Sequence, residues 1–358
     1  MSGARHPRPW LSPVGRLYLA AAGWHHRRWD RRRPGRAPLP VISLGNLAAG
    51  GTGKTPMTLW LAARLTAEGR KPAVVSRGYG GRRRKDPLVV SRGARIQATV
   101  DEAGDEAMMI ARRQVAGLVV VARRRLEGCA LARDEGADVA VLDDGFQHRA
   151  LARELDIVLL DAADPLGGGR GLPAGWLREP PRGLARADVL ILTRAPSELA
   201  AHTVPLAAGA LPAALRETLA ALPAEHVPPV LAATHRPGRL LIPGQDPAPP
   251  QRLAGERVLA VSGIARPETF RATLEGLRAR VLDHLAWPDH HRFGTREAAA
   301  ITRAAARCRA RWIVTTEKDA VRWPESAPRP TVLTVDFEIG AGAWLLERCR
   351  QALEERTP

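Results

Sequence analysis

The chain has 358 residues, a hydrophobic fraction of 45% and a formal net charge of +17. This length is enough for two domains, because single cores seldom grow beyond about 250–300 residues, and no stretch approaches the roughly 18 apolar residues of a spanning helix. The charge favours an anionic partner, namely a nucleic acid, an acidic membrane surface or a phosphorylated substrate, without deciding among them. The cysteines, Cys129, Cys308 and Cys349, show no metal-ligand spacing and are typical of a reduced compartment.

The N-terminal segment predicts an amphipathic helix followed by a basic loop. Residues 10–24 include Trp10, Leu17 and Trp24, and five arginines follow between residues 27 and 33. An apolar face beside basic charge is typical of an interfacial membrane anchor. The alternative, a helix packed on the protein's own core beside a solvated loop, stays open. We reject a secretory signal peptide because the basic run comes directly after the short apolar stretch.

From residue 41 onward, short apolar strands alternate with helical stretches. We predict strands at residues 41–44, 73–76, 118–122, 139–142, 157–160 and 189–192. This alternation predicts an α/β fold with a mostly parallel sheet covered by helices on both faces. Ligands of such sheets bind at the carboxyl ends of the strands.

The second half of the chain begins with a stretch rich in alanine and proline. We predict irregular connecting structure for residues 195–255, because proline and glycine interrupt regular elements. A second, smaller α/β pattern then follows, with strands near residues 257–261, 312–315 and 331–335.

A glycine-rich loop between the first strand and a helix predicts a phosphate site. It consists of Gly50, Gly51, Thr52, Gly53, Lys54 and Thr55. The last three residues match the phosphate-loop pattern G-x-x-x-x-G-K-[ST], but position 48 is alanine instead of glycine. In such loops main-chain N–H groups surround the phosphates, the lysine reaches the transferred group, and the threonine hydroxyl faces Mg²⁺. The alternative is a glycine-rich turn that carries a lysine by chance.

Composition and a second motif support the phosphate site. Only four of the 54 basic residues are lysines, and a retained lysine is expected where arginine cannot replace a compact point charge, as at a phosphate site; Lys54 fits this expectation. Asn46, the single asparagine, lies just ahead of the loop. Asp143 and Asp144 follow the strand at 139–142, where a carboxylate typically holds Mg²⁺ directly or through water. An ordinary aspartate turn is the alternative.

Other polar motifs carry weaker signals. Arg77 and Tyr79 follow the second strand, where an arginine is expected to bind a phosphate; the alternative is a solvated hairpin. Asp105-Glu106 opens a helix, and a helix cap is the commoner role of such residues. Residues 289–291 read Asp-His-His, a poor zinc site but a suitable partner for a carboxylate base. Residues 315–319 are interpreted as a salt-bridged turn, with nucleotide or substrate contact as the alternative.

Together these motifs resemble the tetraacyldisaccharide 4'-kinase family. The matching segments run in family order from about residue 10 to residue 325: Gly45-Asn46 with residues 50–56, then residues 76–80, 104–106, 143–148, 177–180, 262–264, 289–291 and 316–319. A residue other than glycine at position 48 is usual in this family.

The resemblance implies an ATP-dependent kinase with Mg²⁺ as cofactor. It implies transfer of the γ-phosphate to the 4'-hydroxyl of tetraacyldisaccharide 1-phosphate, giving lipid IVA in lipid A biosynthesis. The protein is then expected at the cytoplasmic face of the inner membrane as a peripheral enzyme, with the lipid A precursor and the membrane surface as partners and neither nucleic acid nor a protein partner.

The resemblance also implies domains and residue roles. The expected domains are a membrane-associating segment at 1–36, a P-loop kinase domain at 37–228 and a smaller α/β domain at 229–358 that closes over the site. Catalysis is assigned to Lys54 and to Asp105 as base with His290, in preference to His291. The remaining roles are ATP binding by Asn46 and residues 50–55, substrate binding by Arg77, Tyr79, Arg125, Gln147 and Arg178, and metal binding by Thr55, Asp143, Asp144 and Glu106.

Two other functional classes compete with a lipid kinase. A phosphate-loop GTPase or ATPase that assembles metal centres needs cysteine or histidine ligands near the nucleotide, which the scattered cysteines do not supply. A nucleic-acid-dependent ATPase predicts binding that weakens steeply with salt.

Overall fold

The structure is a computed structural model that describes residues 9–289 and 291–356. It divides into two compact units that are interleaved along the chain. The smaller unit contains Gly104–Met109 and Arg236–Asp336; the larger unit contains the described residues before Gly104, Ile110–His235 and the residues after Asp336.

Strands and helices alternate through both units. In the described part of the chain the strands are β1 (Val41–Asn46), β2 (Pro72–Ser76), β3 (Leu88–Arg92), β4 (Arg95–Ile96), β5 (Leu118–Val121), β6 (Val139–Asp143), β7 (Leu155–Asp161), β8 (Val189–Thr193), β9 (Val230–Leu241), β10 (Arg257–Ser262), β11 (Arg280–Ala286), β12 (Trp312–Thr316) and β13 (Thr331–Ile339). The helices there are α1 (Ser12–Asp30), α2 (Lys54–Ala67), α3 (Val100–Ala103), α4 (Asp105–Arg113), α5 (Arg125–Asp134), α6 (Ser197–Ala200), α7 (Ala213–Ala220), α8 (Pro267–Gly276), α9 (Thr295–Cys308), α10 (Glu317–Ala320) and α11 (Gly342–Glu354).

The sheet of the larger unit has the strand order β9-β8-β7-β1-β6-β2-β5-β3-β4. Its pairs are parallel from β9 to β5, and only β3 pairs antiparallel with both neighbours among the strands of this unit. The central strands β1, β6, β7 and β8 are buried along their whole length, as expected for a sheet covered on both faces. The predicted α/β class with a mostly parallel sheet is confirmed.

Helices cover this sheet through apolar stripes. Met57, Leu61 and Leu65 of α2 are buried, at the helical spacing that the sequence predicts. The C-terminal helix α11 also belongs to the larger unit and buries Leu345, Cys349 and Leu353. Its Arg350 Nη2 lies 3.0 Å from Glu68 Oε1, just beyond the end of α2.

The smaller unit is built on a parallel sheet in the order β11-β10-β12-β13. Apolar clusters cover it: one includes Leu274 of α8, and another includes Ile301 of α9. Each lobe therefore has a core of its own.

The helix α1 is longer than the sequence predicts. It continues to Asp30, so Arg27 and Arg28 lie within the helix and not in a loop, which corrects the predicted end at residue 24. Arginine is a good helix former, and the Arg28 guanidinium lies 4.8 Å from the centre of the Trp24 ring. No described helix has both the length and the apolar character to cross a membrane.

The predicted irregular segment at 195–255 is wrong in part. It contains α7 and the twelve-residue strand β9. Pro237 and Gly238 argue against a strand because proline lacks an N–H group, yet β9 pairs with β8 through residues 230–232, before the proline. The observed units are interleaved, whereas the predicted domains 37–228 and 229–358 are consecutive; those domain limits stay a prediction.

Candidate nucleotide-binding site

The phosphate loop connects β1 to α2 in the larger unit. The buried Asn46 at the end of β1 donates from Nδ2 to Thr52 Oγ1 at 3.0 Å and to Gly50 O at 3.4 Å. Thr193, at the end of β8, donates from Oγ1 to the Thr52 carbonyl at 2.9 Å. The ends of β1 and β8 thus fix the loop. The loop leads into the first turn of α2, and the unpaired N–H groups at a helix N-terminus favour an anion.

The loop ends at Gly53, which adopts a left-handed conformation with φ of 82°. A β-carbon at this position would lie 2.5 Å from His235 Nε2, closer than real atoms approach. Burial, with a further contribution from Arg194, lowers the pKa of His235 to about 4, so this imidazole is neutral at pH 7. His235 therefore supports the end of the loop as a neutral group.

Lys54 is the first residue of α2 and faces a carboxylate. Its Nζ lies 3.5 Å from Asp144 Oδ1, and Arg178 Nη1 donates to both oxygens of Asp144 at 2.9 and 3.0 Å. Burial opposes ionisation of Asp144, but the charges of Lys54 and Arg178 outweigh it and lower the pKa of this carboxyl below its usual value. Asp144 thus holds two cations at the carboxyl end of β6.

Asp143 and Thr55 supply further oxygen atoms beside the loop. Asp143 is buried at the end of β6 and accepts a hydrogen bond from Thr58 Oγ1 of α2 at 3.2 Å. Thr55 is half-buried in the first turn of α2. No group of three acidic, histidine or cysteine side chains suited to a metal occurs among the described residues.

A buried carboxylate with no predicted role connects α1 to the loop. Glu179 is only 1% exposed, and its carboxylate accepts from Gln147 Nε2 at 3.0 Å and from Arg186 Nη2 at 2.8 Å. His26 Nε2 of α1 lies 3.7 Å from the same group. Gln147 Nε2 also donates to the Asn46 carbonyl at 2.7 Å. This chain of contacts runs from the N-terminal helix to the residue that fixes the phosphate loop.

The other predicted substrate-binding residues of the larger unit differ in exposure. Tyr79 is 72% exposed and Arg77 is exposed, both in the loop after β2. Arg125 is buried at the start of α5, where its Nη1 donates to the Ala122 carbonyl at 2.9 Å. Burial lowers the pKa of Arg125, although Asp144 and Asp143 raise it. Arg125 therefore adds positive potential behind the two aspartates.

Asp105, Glu106 and His291 lie in the smaller unit. Asp105, the first residue of α4, is 5% exposed and forms an ion pair with Arg322, a residue with no predicted role. Glu106 is half-buried in the same turn. His290 lies outside the described residues. His291 Nε2 lies 3.2 Å from Glu297 Oε1, and its ring stacks on Trp287.

The segment at residues 315–319 forms a capped turn in the smaller unit. Thr316 caps α10 by accepting from the Asp319 N–H at 3.2 Å. Lys318 Nζ contacts Asp289 Oδ1 at 2.6 Å. Burial raises the pKa of Asp319. These contacts agree with the interpretation of this segment as a salt-bridged turn.

Comparison with known proteins decides the family. The family model described as "LpxK: Tetraacyldisaccharide-1-P 4'-kinase" matches residues 7–354. The chain belongs to the tetraacyldisaccharide 4'-kinase family. The tetraacyldisaccharide 4'-kinase of Anaeromyxobacter dehalogenans strain 2CP-C is 44% identical over 342 residues, covering 92% of this chain and 86% of that protein. That of Syntrophus aciditrophicus is 45% identical over 306 residues, covering 82% and 78%.

A solved structure of the same family shares the fold. LpxK from Aquifex aeolicus in complex with ATP matches with a TM-score of 0.74 and 28% identity, over 96% of this chain and 98% of that one. These matches confirm the predicted family, its phosphate-loop α/β fold and the predicted tetraacyldisaccharide 4'-kinase activity in lipid A biosynthesis. They also support ATP as the nucleotide, in agreement with the geometry of the loop. The residue roles stay predictions.

Proposed function

We propose that this tetraacyldisaccharide 4'-kinase transfers the γ-phosphate of ATP to the 4'-hydroxyl of tetraacyldisaccharide 1-phosphate, giving lipid IVA. The observation that carries the proposal is the ammonium group of Lys54 at the start of α2, 3.5 Å from Asp144, in a chain that matches the family over residues 7–354. A compact charge beside main-chain amides is suited to a phosphate in transfer.

The proposed nucleotide contacts follow from the loop. The amides of residues 50–55 hold the triphosphate, and Asn46 contributes to ATP binding by fixing the loop through its two hydrogen bonds. Lys54 leaves Asp144 for the transferred phosphoryl group, since a multiply charged phosphate attracts it more strongly than one carboxylate. Arg178 then remains as the partner of Asp144.

Mg²⁺ fits the oxygen-rich end of β6. Asp143, Asp144 and Thr55 offer carboxylate and hydroxyl oxygens, the ligands this ion prefers, and Mg²⁺ sites beside a nucleotide need only one or two protein carboxylates because phosphate and water complete the shell. When bound, the ion neutralises charge on the phosphates. Glu106 stays a further candidate ligand from the sequence alone.

The base is proposed to be Asp105, with His290 as its partner. Arg322 holds the Asp105 carboxylate in position, and Asp105 accepts the proton of the 4'-hydroxyl as the oxygen attacks phosphorus. Because His291 is already engaged by Glu297, His290 is the better partner of the two.

We also propose that α1 attaches the protein to the cytoplasmic face of the inner membrane. Leu17 and Trp24 are 72% and 56% exposed, and their spacing of seven residues places them on one face of α1. Trp10, in the 3₁₀ turn Pro9–Leu11 just before α1, is 75% exposed. Exposed apolar side chains beside arginines are typical of an interfacial helix. The acyl chains of the substrate then stay in the lipid, because each exposed CH₂ group costs about 0.8 kcal/mol.

The test is phosphate transfer from Mg-ATP to tetraacyldisaccharide 1-phosphate in detergent micelles. We expect the wild-type protein to transfer phosphate and Lys54→Met to reduce kcat at least about 100-fold, the loss typical of a removed transition-state contact. Lys71→Met is the matched control, because Lys71 is exposed and lies outside the loop. No transfer by the wild-type protein, or equal activity of the two variants, overturns the proposal.

A further inference from the structure

A cavity of about 160 Å³ lies beside the second half of α1, away from the residues assigned to nucleotide binding. Its wall includes four arginines: Arg27 from α1, Arg149 from the loop after β6, and Arg182 and Arg186 from the 3₁₀ helix Pro181–Arg186 before β8. All of these residues belong to the larger unit.

The arginines are only partly neutralised. Arg149 Nη1 pairs with Asp30 Oδ1 at 2.7 Å and donates to the His26 carbonyl at 2.6 Å, while Arg186 pairs with Glu179. Arg27 and Arg182 have no ion pair within the part of the chain that the structure describes. With Asp30 and Glu179 as the acidic residues of the wall, four guanidinium groups face two carboxylates, an excess of two positive charges.

The wall also holds polar atoms without partners. Arg186 Nε and His26 Nδ1 are buried, and neither makes a hydrogen bond in the structure. Burial lowers the pKa of His26, with Arg186 and Arg149 acting in the same direction against Glu179. A buried N–H donor without a partner, such as Arg186 Nε, costs about 1–3 kcal/mol, so an anion that accepts a hydrogen bond from it recovers part of this cost.

The shape of the cavity depends on a glycine. A β-carbon at Gly23 would lie 2.9 Å from Arg182 Nη2 and 3.3 Å from Pro180 Cγ. Gly23 therefore allows the Arg182 guanidinium to lie against the helix backbone. An alanine at this position displaces Arg182 without changing the charge of the protein.

The position of the cavity identifies the source of the anion. Trp24 is exposed and directly follows Gly23, and Arg27 lies one helical turn beyond it. A ligand with a phosphate and acyl chains contacts both the arginines and this apolar face, whereas free phosphate contacts only the arginines. Guanidinium groups are suited to phosphate because they donate two parallel hydrogen bonds.

We propose that this cavity binds the headgroup phosphate of an anionic bilayer phospholipid and thereby fixes the orientation of α1 on the membrane. The inference rests on the proposed membrane attachment of α1. It assigns to Arg27 and Arg182 a specific lipid contact in addition to general attraction for a negative surface.

The test measures binding of the full-length protein to phosphatidylcholine vesicles with and without phosphatidylglycerol. The variant Arg27→Gln/Arg182→Gln is compared with Arg31→Gln/Arg33→Gln, which removes the same charge from exposed positions that do not line the cavity. Both double variants lose general electrostatic attraction to the anionic membrane surface, about 1 kcal/mol per arginine. The cavity pair is expected to lose about tenfold more affinity than the control pair, and Gly23→Ala is expected to weaken binding severalfold at unchanged charge.

Three results overturn the proposal. Equal losses of vesicle affinity in the two double arginine variants show that binding depends only on the general positive charge of the surface. If millimolar inorganic phosphate abolishes the additional binding to phosphatidylglycerol vesicles, the cavity is a site for free phosphate. A raised KM for the glycolipid in phospholipid-free micelles, confined to the cavity variants, shows that the substrate's own phosphate is the ligand. Since wild-type phosphate transfer in micelles is measured separately, failure of the lipid site is distinguished from failure of the kinase assignment.

Discussion

Replacing Gly53 by alanine tests how the phosphate loop is supported. Gly53 and Gly69 lie at opposite ends of α2 and have nearly the same left-handed backbone, with φ of 82° and 81°. At Gly69 a β-carbon meets no atom within 4 Å, whereas at Gly53 it lies 2.5 Å from the His235 ring. The two substitutions therefore impose the same backbone strain, and only Gly53→Ala adds a steric clash with His235.

The magnitudes separate these two effects. An alanine in the left-handed region costs roughly 1–2 kcal/mol, so Gly69→Ala is expected to lower the free energy of unfolding by about that amount. Forcing an extra carbon into a packed site costs about 1–3 kcal/mol more. We therefore expect Gly53→Ala to lower the free energy of unfolding by about 2–5 kcal/mol and to weaken ATP binding, whereas Gly69→Ala leaves the Kd for ATP unchanged.

Urea unfolding and ATP titration measure these quantities. In a His235→Ala background the clash is absent, so Gly53→Ala is expected to cost about 1–3 kcal/mol less than in the wild-type background. If Gly53→Ala and Gly69→Ala destabilise equally, and the His235→Ala background changes nothing, the ring does not support the loop and our reasoning about His235 fails.

Three further predictions concern other parts of the molecule. Glu179→Gln should lower the free energy of unfolding by about 3 kcal/mol in urea unfolding, because it breaks a buried ion pair; Glu127→Gln, at an exposed pair with Arg124, should change it by less than about 1 kcal/mol. Burial, with contributions from Arg125 and Arg153, lowers the pKa of His148 from 6.5 to about 4, so the unfolded state takes up the proton first. Stability should fall as pH decreases from about 6.5 to 4, and His148→Gln should reduce that fall in denaturation curves measured across this range. Asp105→Asn should lower kcat far more than it weakens ATP binding; unchanged turnover in the transfer assay contradicts its role as base.

The sequence predicts the central sheet well because its strands are short, apolar and bounded by polar turns. The predicted strand at 139–142 is observed as Val139–Asp143, buried along its length. Prediction from the sequence fails at β9, where Pro237 and Gly238 suggest a loop. Gly238 is required there because a β-carbon would lie 2.4 Å from Thr334 Oγ1. Such a close approach between distant segments leaves no local signal.

The site is predictable where chemistry and spacing coincide, as in the loop that contains Lys54. Glu179 lies within the family-like segment at residues 177–180, but only the structure shows its burial against Gln147 and Arg186. Nothing in the sequence distinguishes His235 from the other histidines, because its role depends on contact with a loop some 180 positions earlier. Roles that depend on tertiary contact therefore need coordinates.

The return of α11 to the larger unit constrains how the protein is made. Gly342 packs near the Trp60 ring of α2, and Arg356 contacts Glu154 Oε1 at 2.9 Å. The half of the protein that carries the phosphate loop therefore lacks its last helix until the C-terminal residues have left the ribosome. A premature stop codon after β13 thus damages the nucleotide-binding half first, although the missing residues lie almost three hundred positions downstream of Lys54.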